Sequence, residues 1–371
     1  MRKRVVAVVL AALLSPALAL AAGETATRRR VDLRHLRRGA SAILARDTAS
    51  NTWVATTLDP ALQGEVERAL AAARPKEGAV VVSDIRTGRV LAWSSFGGAR
   101  DVVSTPIAPS ASVFKVVTAA ALLESGRAHP STKQCWSGGE RRIEADDLDD
   151  DRATDDRCTT LGDALGHSVN LVFARLALKH LSPTALRDEA AELGIGSEIP
   201  IDVRVPESTL TVPEDRLGFA RAAAGFWNGK LSPLSALFAM QTIARGGERM
   251  PLSVLRTDEA ETPAGRALTT TTARELTRML EVTTRSGTSA KVFHRDDGSG
   301  VFPRVRVAGK TGTLIGGHPR RMYSWFAGFA PSRSPRIAIS VLLANDVRYW
   351  RKANEVGRDV IEAWLRGAAP G

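Results

Sequence analysis

The chain has 371 residues, 44% hydrophobic and 25% charged, a globular composition long enough for one large domain or two ordinary ones. Lys and Arg number 51 against 40 Asp and Glu, and the net charge of +11 favours anionic partners. There is no zinc-finger spacing and no basic stripe interleaved with aromatics, and the six His form no HExxH or Cys/His pattern, which argues against nucleic-acid binding and metal chemistry.

Met1-Arg2-Lys3-Arg4 and the uncharged run Val5 to Ala22 read as a secretion signal. Small residues at Ala17-Leu18-Ala19 or Ala19-Leu20-Ala21 suit cleavage, giving a signal over residues 1–21. The run is slightly short for a membrane span, so an uncleaved anchor is the second reading. Both put the body outside the cytoplasm, in the periplasm or an equivalent compartment. Residues 22–55 are polar and weakly periodic, with Arg28, Arg29, Arg30, Arg34, Arg37, Arg38 and Arg46. They read as a basic, solvated arm or linker, with a membrane surface or a cell-wall polymer as its alternative contact.

Order is expected from Thr57. Asp59 is an N-cap followed by Pro60, and a helix should run to about Ala73. Gly78 to Ser83 and Arg89 to Trp93 form strands joined by a turn at 84–88. Ser112 to about Glu124 is apolar on nearly every turn, a helix buried on most sides and ended by Gly126. Residues 135–158 form a polar excursion with acidic clusters at Asp146-Asp147, Asp149-Asp150-Asp151 and Asp155-Asp156. Without a recognisable ligand spacing this is read as a solvated loop rather than a calcium loop. In an oxidising compartment Cys135 and Cys158 can form a disulfide; the alternative is two buried thiols.

Helices follow at about 160–167, 170–181 and 183–193, from Ser232-Pro233 to Gly246-Gly247, and at about 271–284. Strands are expected at about 304–313, 322–330 and 336–344, the first on the alternation of Arg304-Val305-Arg306-Val307. A last helix covers about 353–366, with 367–371 as a tail. The order of strands, many helices, strands and helix implies an α+β protein whose sheet pairs early with late strands around a helical insert.

Three short motifs carry candidate chemistry. In Ser112-Val113-Phe114-Lys115 the hydroxyl and ammonium lie three residues apart on one helical face. A serine needs a base, and lysine can be one if burial or a second cation lowers its pKa. Ser168-Val169-Asn170 lies in a break between helices; Ser168 suits a proton shuttle, and Asn170 offers donor and acceptor. Lys310-Thr311-Gly312-Thr313 ends an alternating strand. There Gly312 admits a close backbone, and Lys310, Thr311 and Thr313 suit a substrate carboxylate. The backbone N–H groups of Ser112 and Thr313 form a candidate oxyanion hole. Each motif alone is weak, since Ser and Lys at helical spacing, helix-capping Ser and Asn, and strand-end Lys are common.

The three in this order resemble the transpeptidase domain of penicillin-binding proteins, a set shared with class A β-lactamases. The resemblance covers about 56–366 and extends to Thr57-Leu58-Asp59-Pro60-Ala61-Leu62-Gln63, the hairpin Gly78 to Trp93, and Ala224-Gly225 through Gly246-Gly247. Gly287-Thr288-Ser289-Ala290 and Ser324 to Pro331 are similar as well. It implies the β-lactamase/transpeptidase-like fold, an antiparallel sheet flanked by helices with an inserted helical subdomain. It also implies a stand-alone transpeptidase module needing no cofactor. Ser112 would attack the D-Ala-D-Ala amide of a peptidoglycan stem peptide, and the acyl-enzyme would pass its acyl group to an amine or, in a carboxypeptidase, to water. β-Lactam antibiotics would trap Ser112. A β-lactamase is the nearest rival, but no Glu-x-x-x-Asn occurs for the class A water, and Asn170 stands where class D enzymes usually carry a hydrophobic residue. A penicillin or cell-wall-peptide sensor without turnover is the rival from another class.

Overall fold

The structure, a computed structural model, describes residues 28–139, 142–226, 229–347 and 350–368. The secretion signal at 1–21 and the tail beyond 368 lie outside the described residues. No described helix is long and apolar enough to cross a membrane.

From residue 28 onward, the segment expected as a linker to residue 55 is folded. β1 (Val31–Arg38), β2 (Ile43–Asp47) and β3 (Thr52–Ala55) form an antiparallel sheet in that order. The sheet buries Leu33, Ile43 and Ala45 and little else, so its alternation was too sparse to read. Part of its arginine charge is used within the chain. Arg29 pairs with Asp47 at 3.0 Å, and Arg34 donates to the carbonyls of Gly98 and Ala99. Thr56 donates from N and Oγ1 to the Ile43 carbonyl and ties the sheet to the body.

α1 (Pro60–Ala73) starts as expected, with Asp59 accepting from the Leu62 N–H at 2.8 Å. β4 (Glu77–Asp84) and β5 (Val90–Phe96) follow as a hairpin. β6 (Ala108–Pro109) leads into a 3-10 turn (Ala111–Phe114) and α2 (Lys115–Glu124), buried along almost its whole length. β7 (Lys133–Trp136) and β8 (Arg157–Thr160) pair, and a disulfide joins the facing Cys135 and Cys158. Then come α3 (Leu161–His167), α4 (Asn170–His180), α5 (Pro183–Glu192), β9 (Thr209–Leu210), α6 (Arg216–Ala223), β10 (Gly229–Leu231) and α7 (Pro233–Ala244). α8 (Thr270–Arg285) and the short α9 (Ala290–Phe293) precede β11 (Ala308–Gly316), β12 (Arg321–Ala330), β13 (Ile337–Asn345) and α10 (Ala353–Ala368).

The main sheet is antiparallel with order β11-β12-β13-β4-β5, so late strands do pair with early ones. It is covered on both faces, which makes β13 apolar at nearly every position. Ile337, Ile339, Val341 and Leu343 enter the core shared with Leu62, Val66 and Leu70 of α1 and Val356 and Val360 of α10. Ala338 and Leu342 enter the larger core with α2, α4 and α7. This period-two division places the helical region against one face and the pair α1 and α10 against the other.

β11 begins at Ala308, not near 304. Val305 and Val307 pack inward without a strand partner, because the chain is held instead by the Thr284 hydroxyl on the Val307 carbonyl and the Ser332 N–H on the Arg306 carbonyl. The alternation recorded burial, not pairing.

The acidic excursion is exposed along most of its length, as expected of a solvated loop, but it is tethered to the body by ion pairs. Asp155 pairs at 2.5 Å with Arg175 of α4, whose side chain is 2% exposed. Arg175 also donates to the carbonyls of Asp147 and Cys135. Asp150 meets Lys179, Asp149 meets Arg216, and Glu144 meets Arg221. The negative charge of the insert thus faces the basic sides of α4 and α6.

Candidate active site

Ser112 lies in the 3-10 turn, and Lys115 is the first residue of α2. The expectation of one continuous α-helix is corrected here, and in a 3-10 turn residues three apart eclipse each other. Lys115 Nζ is 2.9 Å from Ser112 Oγ. Ala111, just before the serine, has φ of 47°, so the turn enters from a backbone conformation that L-residues rarely adopt.

Lys115 is fully buried and within hydrogen-bonding distance of three oxygens: Ser112 Oγ, Asn170 Oδ1 at 2.8 Å and the Ala224 carbonyl at 2.7 Å. Amide and backbone carbonyls can only accept, so they take two N–H bonds from Nζ. The third direction points at the serine. It carries an N–H when the amine is charged and a lone pair when it is neutral. Burial and the nearby Lys310 cation hold the Lys115 pKa well below its ordinary value, which favours the lone pair. In that state Ser112 donates its proton towards Nζ, the arrangement a general base requires.

The second and third motifs meet the first. Ser168 caps the end of α3 with φ of 62°, and Asn170 opens α4. The left-handed residue between the helices turns both side chains to the same cleft. Lys310 Nζ, fully buried on β11, lies 3.1 Å from Ser168 Oγ and 2.9 Å from the Thr311 carbonyl. Burial lowers its pKa to about 7. A cleft of about 840 Å³ is lined by Ser112, Ser168, Asn170, Thr311, Gly312 and Thr313, so the structure brings every expected motif to one place.

Glycines make this convergence sterically possible. A Cβ on Gly312 would lie 3.2 Å from Ala111 Cβ and 3.3 Å from Val113, so β11 packs tightly against the turn that carries Ser112. Gly225 has φ of 88°, and a Cβ there would stand 2.2 Å from the Ala111 carbonyl oxygen. Trp325 of β12 donates from Nε1 to the Pro109 carbonyl at 2.9 Å and braces the same turn from below.

Three contributors were not singled out from sequence as site residues. The Ala224 carbonyl has no side-chain signature; its only trace is the glycine that follows it. Thr288 shares a 2.5 Å hydrogen bond with Thr311 and lines the cleft. The buried ring of Phe173 on α4 has its centre 5.9 Å from Lys115 Nζ. Cys135 and Cys158 stand apart, in the hairpin whose connecting segment after β7 offers the Gly139 carbonyl to Asn170 Nδ2 at 3.4 Å. Among the described residues no group of three or more His, Cys, Asp or Glu is arranged to hold a metal ion.

Comparison with known families decides the membership. Residues 78–362 match the model of the penicillin binding protein transpeptidase domain, which is more than half of the chain. The chain belongs to the penicillin-binding protein transpeptidase family. Among curated relatives, it is 28% identical over 350 residues to peptidoglycan D,D-transpeptidase PbpA of Mycobacterium tuberculosis, covering 79% of this chain and 68% of that one. It is 28% identical over 353 residues to penicillin-binding protein PbpB of Mycolicibacterium smegmatis, covering 80% of this chain and 51% of that one. The transpeptidase domain of Burkholderia pseudomallei penicillin-binding protein 3 superposes with a TM-score of 0.72 at 24% identity, over 85% of this chain and 98% of that one. The crystal structure of PBPA from Mycobacterium tuberculosis gives 0.70 at 24% identity, over 84% and 82%. At such identities the structural likeness speaks for the fold, which is that of the penicillin-binding transpeptidase domain.

Proposed function

We propose that this penicillin-binding family member is a peptidoglycan D,D-transpeptidase, exported by its N-terminal signal and active outside the cytoplasm, with residues 56–366 as its catalytic unit. The observation that carries the reading is the buried Lys115, with its amine against Ser112 Oγ and no carboxylate among its hydrogen-bonding partners. Ser112 Oγ attacks the carbonyl carbon of the D-Ala-D-Ala amide while its proton passes to Lys115. The oxyanion forms opposite the N–H groups of Ser112 and Thr313. Lys310, Thr311 and Thr313 hold the terminal carboxylate. The C–N bond then breaks, the amine of D-alanine leaves with a proton relayed through Ser168, and an ester remains on Ser112. The amine of a second peptide attacks that ester, and Lys115 takes and returns the proton. A β-lactam enters the first half of this sequence and stops at the ester.

Intact-mass measurement with a fluorescent penicillin tests the reading. The protein should gain one drug mass, hold it, and lose the ability in Ser112→Ala. Absence of any adduct refutes the proposal, and rapid release of hydrolysed drug marks a β-lactamase instead.

A further inference from the structure

The cleft carries more positive charge than one terminal carboxylate needs. Arg142, Arg320 and Lys352 line it from three separate segments: the β7–β8 insert, the β11–β12 turn and the approach to α10. None of the described residues lining it is acidic. All three cations are exposed, whereas Lys310 is fully buried. Arg320 forms no ion pair with any described residue. The carboxylate next to Arg142, Glu144 at 3.8 Å, is already held by Arg221 at 3.0 Å.

Position separates these charges from the first carboxylate. β11 is an edge strand of the main sheet, and Thr311 through Ile315 line the cleft. An extended peptide can pair with such an edge. The strand's far end, Gly316, faces Arg321, so Arg320 sits about 17 Å of strand beyond Thr311 at ~3.4 Å per residue. Thr313 is nearer, about 10 Å of strand from Gly316 at ~3.4 Å per residue, so Arg320 stands towards the far end of the cleft from the carboxylate held at Thr311 and Thr313. A peptide paired along β11 would bring to Arg320 a part about three residues removed from that end.

We infer that this cleft selects peptides bearing a second free carboxylate, distant from the D-Ala-D-Ala end, over the carboxamide forms of the same peptides. The inference rests on the transpeptidase reading above. Exposed cations give modest, salt-sensitive attraction, so the expected preference in kcat/KM is about fivefold to tenfold at low salt.

The test compares the two peptides on the wild-type protein at about 50 and 500 mM salt, with penicillin acylation measured alongside. The carboxylate form should win at low salt, the advantage should shrink at high salt, and Arg320→Gln and Arg142→Gln should each reduce it. A ratio near one at both salts, with penicillin still acylating Ser112, overturns the selectivity and leaves the transpeptidase reading standing. A low-salt preference that persists unchanged in both variants overturns the assignment of these arginines. Failure of both peptides and of penicillin overturns the inference together with the reading beneath it.

Discussion

Replacing Lys115 by Arg keeps a positive head group and removes the capacity to lose its proton. In the native site, burial and Lys310 push the amine towards neutrality, and its partners are one hydroxyl and two carbonyl oxygens. A guanidinium stays charged there, with no carboxylate among those partners. Two losses follow. Removing a positioned general base costs about 10²–10⁴ in rate, or roughly 3–5 kcal/mol of barrier. Forcing an uncompensated charge into the site costs several kcal/mol of stability. Lys115→Met separates the two, because it deletes the base without imposing a charge. Acylation by a fluorescent penicillin, followed by stopped flow, should fall at least a hundredfold in both variants. Urea midpoints should fall further in Lys115→Arg than in Lys115→Met. Acylation of Lys115→Met within tenfold of wild type refutes Lys115 as the base, however the arginine variant behaves.

Two further outcomes follow from buried charge. Arg175→Met strands the Asp155 carboxylate, whose side chain is 5% exposed and whose Oδ1 already lacks a partner. A loss of about 3–5 kcal/mol is expected in urea unfolding, partly recovered by adding Asp155→Leu, and an unchanged midpoint refutes the pairing as a structural weld. Lys310 titrates near 7 in the fold and near its ordinary, higher value when unfolded. Above pH 7 the unfolded chain therefore binds the extra proton, and stability gains at most about 1.4 kcal/mol per pH unit from this group as pH rises. The stability advantage of Lys310→Met over wild type should be largest below pH 7 and shrink towards pH 9; a gap independent of pH contradicts the burial effect.

What could be read from sequence was set by where the physical signal is local. Asp59-Pro60, Ser182-Pro183 and Ser232-Pro233 mark helix starts because N-cap bonds and the fixed proline φ act within four residues. β12 and β13 are long and apolar, and their bounds were close to those expected. The N-terminal sheet was missed because its strands bury few side chains each and are held by long-range contacts, such as that of Thr56 with Ile43. The residues that converge on the cleft were legible through three short motifs of polar side chains. The Ala224 carbonyl was not, since a backbone oxygen carries no residue-type signal. Its use depends on the left-handed turn at Gly225 that brings it beneath Lys115.

The insert between the two cysteines shows how a segment without a motif belongs to the site. One end of α4 carries Asn170, which accepts from Lys115; one and a half turns later the same helix carries Arg175, which grips Cys135, Asp147 and Asp155 of the insert. The loop after β7 returns the connection by offering the Gly139 carbonyl to Asn170, and a Cβ on Gly139 would stand 2.2 Å from Leu171. The insert thus reaches Asn170 directly through Gly139 and anchors its helix through Arg175, and the Asn170 side chain supplies one of the two acceptors that leave the third direction of Lys115 facing Ser112. The acidic run is the counter-charge for α4 and α6, and that attachment holds the insert whose Arg142 lines the cleft beside Ser112.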